Sequence, residues 1–132
     1  MTTLASSDLA AGSYTPEQRF AGDSDIITRV LTIAKVSAGA VIPAGTALGQ
    51  IDASGKLIPA IGTAVDGSAV PVAILPEAVD TTGGDVAFAV YVAGEFNLDW
   101  VKFDASFSTE AAKLGAFPAE SPIVVRKLGY SG

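Results

Sequence analysis

From Val86 to Ala93 the chain alternates without a break. Val86, Phe88, Val90 and Val92 fall on one side, and Ala87, Ala89, Tyr91 and Ala93 on the other. Successive side chains of a strand point to opposite faces, so this pattern predicts a strand with one bulky apolar face and one face of small residues. A small-residue face suits close packing against another layer or another subunit. The turn signal Thr81-Thr82-Gly83-Gly84 separates this strand from a second strand-like run, Val70 to Leu75. Gly94 interrupts the alternation and predicts a bulge or bend. Glu95-Phe96-Asn97-Leu98-Asp99-Trp100 follows, opening a further short strand or extended piece from Phe96 to Lys102.

The rest of the chain reads as short strands and turns, which makes the fold class mainly β. Thr28 to Val36 is a strand candidate with Arg29, Leu31, Ile33 and Lys35 on one face. Charges at both ends of that face predict burial in its middle alone. Ala40 to Ile51 reads as strand, turn at Pro43–Gly45, strand, because proline cannot donate a ladder hydrogen bond and glycine invites a turn. Asp52 to Gly55 is a turn, and Lys56 to Ile61 a short strand. Its Leu-Ile-Pro-Ala (57–60) echoes Val-Ile-Pro-Ala (41–44), as two similar strands each bent at a proline. Ala64 to Ser68 turns around Asp66-Gly67, and Glu77 to Gly84 is a loop. One helix is expected, from Asp104 to Gly115. Ser106 or Ser108 would cap it, Glu110 would sit in its first turn, Lys113 in its last, and Gly115 would follow as a stop. Phe107, Ala111 and Leu114 would form its buried face. Ser121 to Leu128 is a closing strand; its Arg126-Lys127, the only adjacent basic pair, reads as a solvated strand end.

Residues 1–25 differ in kind. They are rich in Ser, Thr, Ala, Gly and Asp and show no sustained period. Such a segment is a flexible N-terminal arm, with residues 26–132 forming the β-rich domain. Tyr14, Pro16 and Phe20, with Ile26 and Ile27 at the junction, are spaced like anchors. An arm of this kind can order on a partner by adding a strand to a sheet edge.

Composition narrows the function. The 132 residues carry a net charge of −6 and no basic run, so nucleic acid and anionic membrane are not expected partners. No uninterrupted apolar run approaches a membrane span, and the N-terminus lacks the features of a secretory signal; a soluble product of a cytoplasm is expected. Nearly half the residues are apolar, but many are Ala and Val, and only ten are aromatic (six Phe, three Tyr, one Trp). A thin core of small residues in a short chain often gains stability by oligomerising.

The chain has no histidine and no cysteine. Ser–His–Asp and Cys–His nucleophilic sets, and metal sites built from His and Cys, are therefore impossible within one chain. Neighbouring carboxylates exist at Asp23 and Asp25 and at Asp99 and Asp104. Nothing places them across a cleft as a glycosidase requires, and turn or surface carboxylates are far commoner. Gly83-Gly84 lacks a phosphate-loop context, and no EF-hand spacing occurs. Neither an enzyme nor a cofactor or metal is expected. Trp100, with Tyr91 and Phe96, reads as core or subunit interface rather than a ligand platform.

The order of segments from Gly67 to Phe103 resembles one known family. A Gly-Ser-Ala-Val-Pro-Val-Ala-Ile-Leu segment (67–75) precedes an acidic Thr/Gly turn. An alternating strand ending in Ala-Gly-Glu-Phe (93–96) follows, then Leu-Asp-Trp (98–100). This order looks like the head decoration protein family of tailed bacteriophages, the lambda-type capsid-stabilising proteins. The likeness is clearest over residues 36–125. The chain departs from the family pattern by extra residues around 40–64 and after Pro118. The resemblance implies a compact β-clip of bent, paired strands. It implies a homotrimer on the exterior of an expanded icosahedral head, bound to the major capsid protein and holding it against internal DNA pressure. It also implies N-terminal arms that order on the capsid. On that reading Tyr14, Pro16, Phe20, Ile26 and Ile27 contact the capsid, and Tyr91, Phe96 and Trp100 lie in the trimer interface or core. The alternative is a carbohydrate- or receptor-binding β module of a virion surface protein.

Overall fold

A computed structural model of the chain describes residues 19–22, 25–36 and 41–127. Tyr14 and Pro16 lie outside the described residues. The fold is mainly β, as the alternation predicts. Its strands are β1 (Ile27–Ile33), β2 (Val41–Ile42), β3 (Ala47–Gln50), β4 (Leu57–Pro59), β5 (Pro71–Ile74), β6 (Val79–Asp80), β7 (Val86–Asn97) and β8 (Ile123–Arg126). One short helix, α1 (Glu110–Leu114), precedes β8.

The strand order is β1-β4-β3-β5-β7-β8, and β1 also pairs with β7, so β1, β4, β3, β5 and β7 close into a ring. Two of its contacts are single registered pairs: Ile33 opposite Leu57 joins β1 to β4, and Ile74 opposite Tyr91 joins β5 to β7. β2 and β6 form a separate two-stranded sheet. The β6 strand falls inside the 77–84 stretch that the sequence presents as loop; two residues are too few to show a period.

β7 is the strand that joins the parts. Its first half runs antiparallel to β1, with Val30 opposite Ala89 and Leu31 opposite Phe88. Its last residues run parallel to β8, from Gly94 opposite Ile123 to Asn97 opposite Arg126. At Gly94, where a bulge or bend is expected, the strand changes partner. Gly94 takes φ +141°, where a side chain is strained, and β7 continues through it to Asn97. The register irregularity lies just before it, where Thr28 faces Tyr91 but Ile27 faces Ala93.

Two apolar clusters meet along β7. Val90 is buried in one, with Ile33, Ile42, Leu48, Leu57 and Leu75, while Val86, Phe88 and Val92 pack against it. Phe96 is buried in the other, with Ile74, Leu98, Trp100, Phe117 and Ile123, and Tyr91 packs against that one. The bulky face thus fills a core as expected. The small face does so only at its Tyr91–Ala93 end; Ala87 and Ala89 are exposed.

On the charge-ended face of β1 the middle is buried as expected, through Leu31 and Ile33 between the exposed Arg29 and Lys35, while Thr28, Val30 and Thr32 on the opposite face are exposed. The expected helix needs correction. The helix is one turn, capped by Thr109, whose side chain accepts the Ala112 N–H, and it buries no residue. Phe107 precedes it and enters the protein from a turn opened by Asp104, whose carboxylate accepts the Ser106 N–H at 2.9 Å. That turn competes successfully with helix for residues 104–107.

Candidate functional site

The first described residues pass directly onto β7. The Ala21 N–H donates to the Glu95 carbonyl at 3.0 Å, and the Asn97 N–H donates to the Arg19 carbonyl at 2.8 Å. Phe20 forms an isolated antiparallel bridge with Phe96. The segment before β1 therefore continues the ladder that β1 makes with β7, along the same edge. Pairing with the folded domain begins by Arg19, within the stretch that composition assigns to the arm.

Side chains fix this joint. The Phe20 ring lies 5.7 Å from Tyr91 and 5.5 Å from Phe96, and Tyr91 and Phe96 are 5.1 Å apart. Edge-on and tilted rings at such distances add attraction beyond the area they bury. The Arg19 guanidinium lies 4.5 Å from the centre of a Trp100 ring. It also donates to the Tyr91 hydroxyl at 3.0 Å and to the Pro76 carbonyl at 3.3 Å. A planar cation suits this mixture of ring face and hydrogen-bond acceptors.

The structure thus regroups the residues singled out in the sequence. Phe20, expected with the arm, sits with Tyr91, Phe96 and, through Arg19, Trp100. Phe96 is fully buried, Trp100 is 7% exposed, and Tyr91 is half-buried. Ile26 and Ile27 stay on the surface at the start of β1, 44% and 52% exposed. Arg19 is the residue that sequence reasoning missed. The available signal was a lone cation just before Phe20, in a segment otherwise acidic and polar.

The Trp100 indole Nε1 is buried and, among the described residues, has no hydrogen-bond partner. Its ring is held by packing and by Arg19, and it is not presented to solvent as a sugar-stacking platform would be. The carbohydrate-binding alternative loses the aromatic surface on which it rested.

The charged groups form local pairs. Arg126 lies 3.7 Å from Glu95, and Lys127 lies 3.0 Å from Glu110, which holds the lysine above its ordinary value through a hydrogen bond. The adjacent basic pair is therefore a neutralised strand end. Asp99, Glu110, Lys113 and Lys127 border one open cleft beside α1. A second cleft, about 290 Å³, is mostly apolar. Ile42, Pro43 and Pro59 from the two Ile-Pro-Ala copies line it, with Phe103, Lys102 and Asp104. Asp66, Asp80, Asp85 and Asp104 are all held below the ordinary carboxylate range by hydrogen bonds. The donors are chiefly Ser68, Thr82, Lys56 and Ser106 respectively. Such carboxylates fasten turns. Among the described residues no group of three or more Asp and Glu could hold a metal ion, and no helix is long and apolar enough to cross a membrane.

The class defined here is a small β domain closed largely through one long strand, with an N-terminal segment laid along that strand. The pattern of the family described as bacteriophage lambda head decoration protein D matches residues 11–120, and the chain belongs to that family. The family is one of structural proteins of the phage head. No curated protein is significantly similar to the chain.

Proposed function

We propose that this protein binds the exterior of an expanded icosahedral phage head, as a homotrimer with a β-clip-like body, and stabilises the shell of major capsid protein against internal DNA pressure. The observation that carries this reading is the family match over residues 11–120. The match includes part of the N-terminal segment as well as the β domain.

The geometry supports a division of labour. Arg19 and Phe20 fix the described base of the arm on β7. Tyr14 and Pro16 lie just upstream as candidate capsid contacts. Ile26 and Ile27 offer exposed apolar side chains beside the same strand. Phe20 contributes by holding the arm's root against Tyr91 and Phe96. A trimer with three such arms makes the second and third contacts intramolecular, which can raise avidity about a hundredfold or more over one arm. Binding that favours the intact shell raises the free energy needed to open it. The protein is made in the host cytoplasm and ends on the virion surface.

The test is co-sedimentation with expanded, undecorated heads, comparing the full chain with one lacking residues 1–18. Saturable binding by the full chain, weakened at least tenfold by the truncation, is the expected result. Equal binding by both would move the contact onto the β domain. No binding by the full chain would sink the reading.

A further inference from the structure

Asp66 is the only aspartate in the chain followed by glycine, and the single asparagine, Asn97, precedes leucine. An Asp-Gly order is chemically labile. Glycine has no Cβ to shield its backbone nitrogen, so the Gly67 nitrogen can attack the Asp66 side-chain carbon, Cγ. A C–N bond forms, a Cγ–O bond breaks, and the Gly67 N–H proton leaves with the carboxyl OH as water. The product is a cyclic succinimide. Water then opens either carbonyl, restoring aspartate or leaving the main chain routed through the side chain as isoaspartate. No reactant other than water takes part. The turn lies open to it, since Val65, Asp66 and Gly67 are all exposed.

The fold opposes this reaction at the same turn. The Ser68 N–H donates to the Asp66 carboxylate at 3.0 Å, and the Ser68 hydroxyl donates to the same oxygen. Hydrogen bonds to a carboxylate favour it over the acid. A carboxylate is a poor electrophile, and an oxygen that leaves as water must first carry a proton. The backbone is held as well. The Asp52 N–H donates to the Asp66 carbonyl at 2.8 Å, and that carbonyl would become one side of the succinimide. Ser68 is fully buried, with its own carbonyl so close to Gly49 that a Cβ there would overlap it. Ring closure would have to turn a backbone fixed on both sides. From this geometry we propose that Asp66–Gly67 is a latent site of isoaspartate formation, and that Ser68 keeps it closed. Isoaspartate lengthens the main chain by one carbon in the turn that seats Ser68 on β3, just ahead of the Gly49–Pro71 pair that joins β3 to β5. Ageing of the protein would therefore act first on that contact. The inference stands apart from the capsid reading.

The test holds the full chain, wild type and Ser68→Ala, near the ordinary carboxylate pKa, both folded and in denaturing urea. Isoaspartate is read by methylation with an isoaspartyl methyltransferase and placed by peptide mapping. In urea both chains should form it at Asp66 at a common rate. Folded wild type should form it far more slowly, and folded Ser68→Ala about three- to tenfold faster than folded wild type, the factor that loss of one hydrogen bond supplies. Low urea separates local from global opening, since a local reaction keeps its rate below the unfolding transition. A Ser68→Ala rate that climbs there comes from unfolded molecules and overturns the role of Ser68, as does a variant no faster than wild type. Wild type alone gives a second reading should Ser68→Ala not fold. Its folded rate should go on rising as pH falls past the point where the unfolded rate levels off, because the Ser68 bonds hold the Asp66 carboxyl below its ordinary value; matching pH profiles overturn the guard. A folded wild type that keeps pace with the unfolded chain, or an unfolded chain that forms no isoaspartate at Asp66, overturns the proposal outright.

Discussion

Gly49 has no room for a side chain. A Cβ built there would overlap the Ser68 carbonyl oxygen, which is backbone and cannot swing away. Overpacking of this kind costs typically 1–3 kcal/mol and occasionally more, so Gly49→Ala should cost about 3 kcal/mol in urea unfolding. Gly83→Ala, with nothing near its added methyl, should be close to neutral. Equal effects at the two positions would show that the approach of the Ser68 turn to β3 is soft. Asp85 makes a second residue-scale prediction. Its pKa is held below the ordinary 3.8 first by the Lys56 ammonium and then by the Lys35 N–H. A carboxyl with a lower pKa folded than unfolded adds stability above its unfolded value and loses it as pH falls through its folded value. Wild type should therefore weaken below about pH 4, and Asp85→Asn should flatten part of that acid limb. Urea midpoints measured from pH 3 to pH 7 would show it; parallel curves would refute it.

At the scale of elements, α1 contrasts with β7. Thr109 caps the helix, but none of its residues is buried. Thr109→Ala should cost roughly 1 kcal/mol of local helix stability. Amide exchange at Ala112 and Lys113 should speed up while the global unfolding midpoint barely moves. A large global loss would mean that α1 is packed more firmly than its exposure indicates. The helix was legible in outline from Glu110, Lys113 and Gly115. Its length was not, because Asp104 and Ser106 form a turn that the same residues could equally have offered as a cap. The bulky face of β7 was legible because period-two alternation is a local property. Its continuation through Gly94 was not, since a glycine at φ +141° extends a strand only if new partners wait on the far side, here Phe20 and β8.

For the whole molecule, β7 carries the cooperativity. Val90 belongs to one cluster and Phe96 to the other, six residues apart on a single strand. Neither cluster can open without disturbing the strand they share. Phe96→Ala should cost about 3–5 kcal/mol, the usual range for emptying a buried phenylalanine site. The loss should appear as one transition seen alike by Trp100 fluorescence and by far-ultraviolet circular dichroism. Two separated transitions would mean that the clusters unfold independently.

The sequence by itself determined the class. The alternation set the strands, the glycines and prolines set most turns, and the missing His and Cys removed whole families of chemistry. The order of segments from Gly67 to Phe103 pointed to the decoration family that the match over residues 11–120 establishes. These are properties of composition and near neighbours, so one chain shows them. Only the tertiary structure decided that Phe20 packs with Tyr91 and Phe96, that Arg19 covers Trp100, and that Ala87 and Ala89 face solvent beside Val30. The Phe20–Phe96 bridge spans 76 residues of sequence, and the Arg19–Tyr91 hydrogen bond spans 72. No local pattern encodes contacts at that range. They follow from how a twisted strand passes between two cores, and that is fixed only when the chain closes on itself.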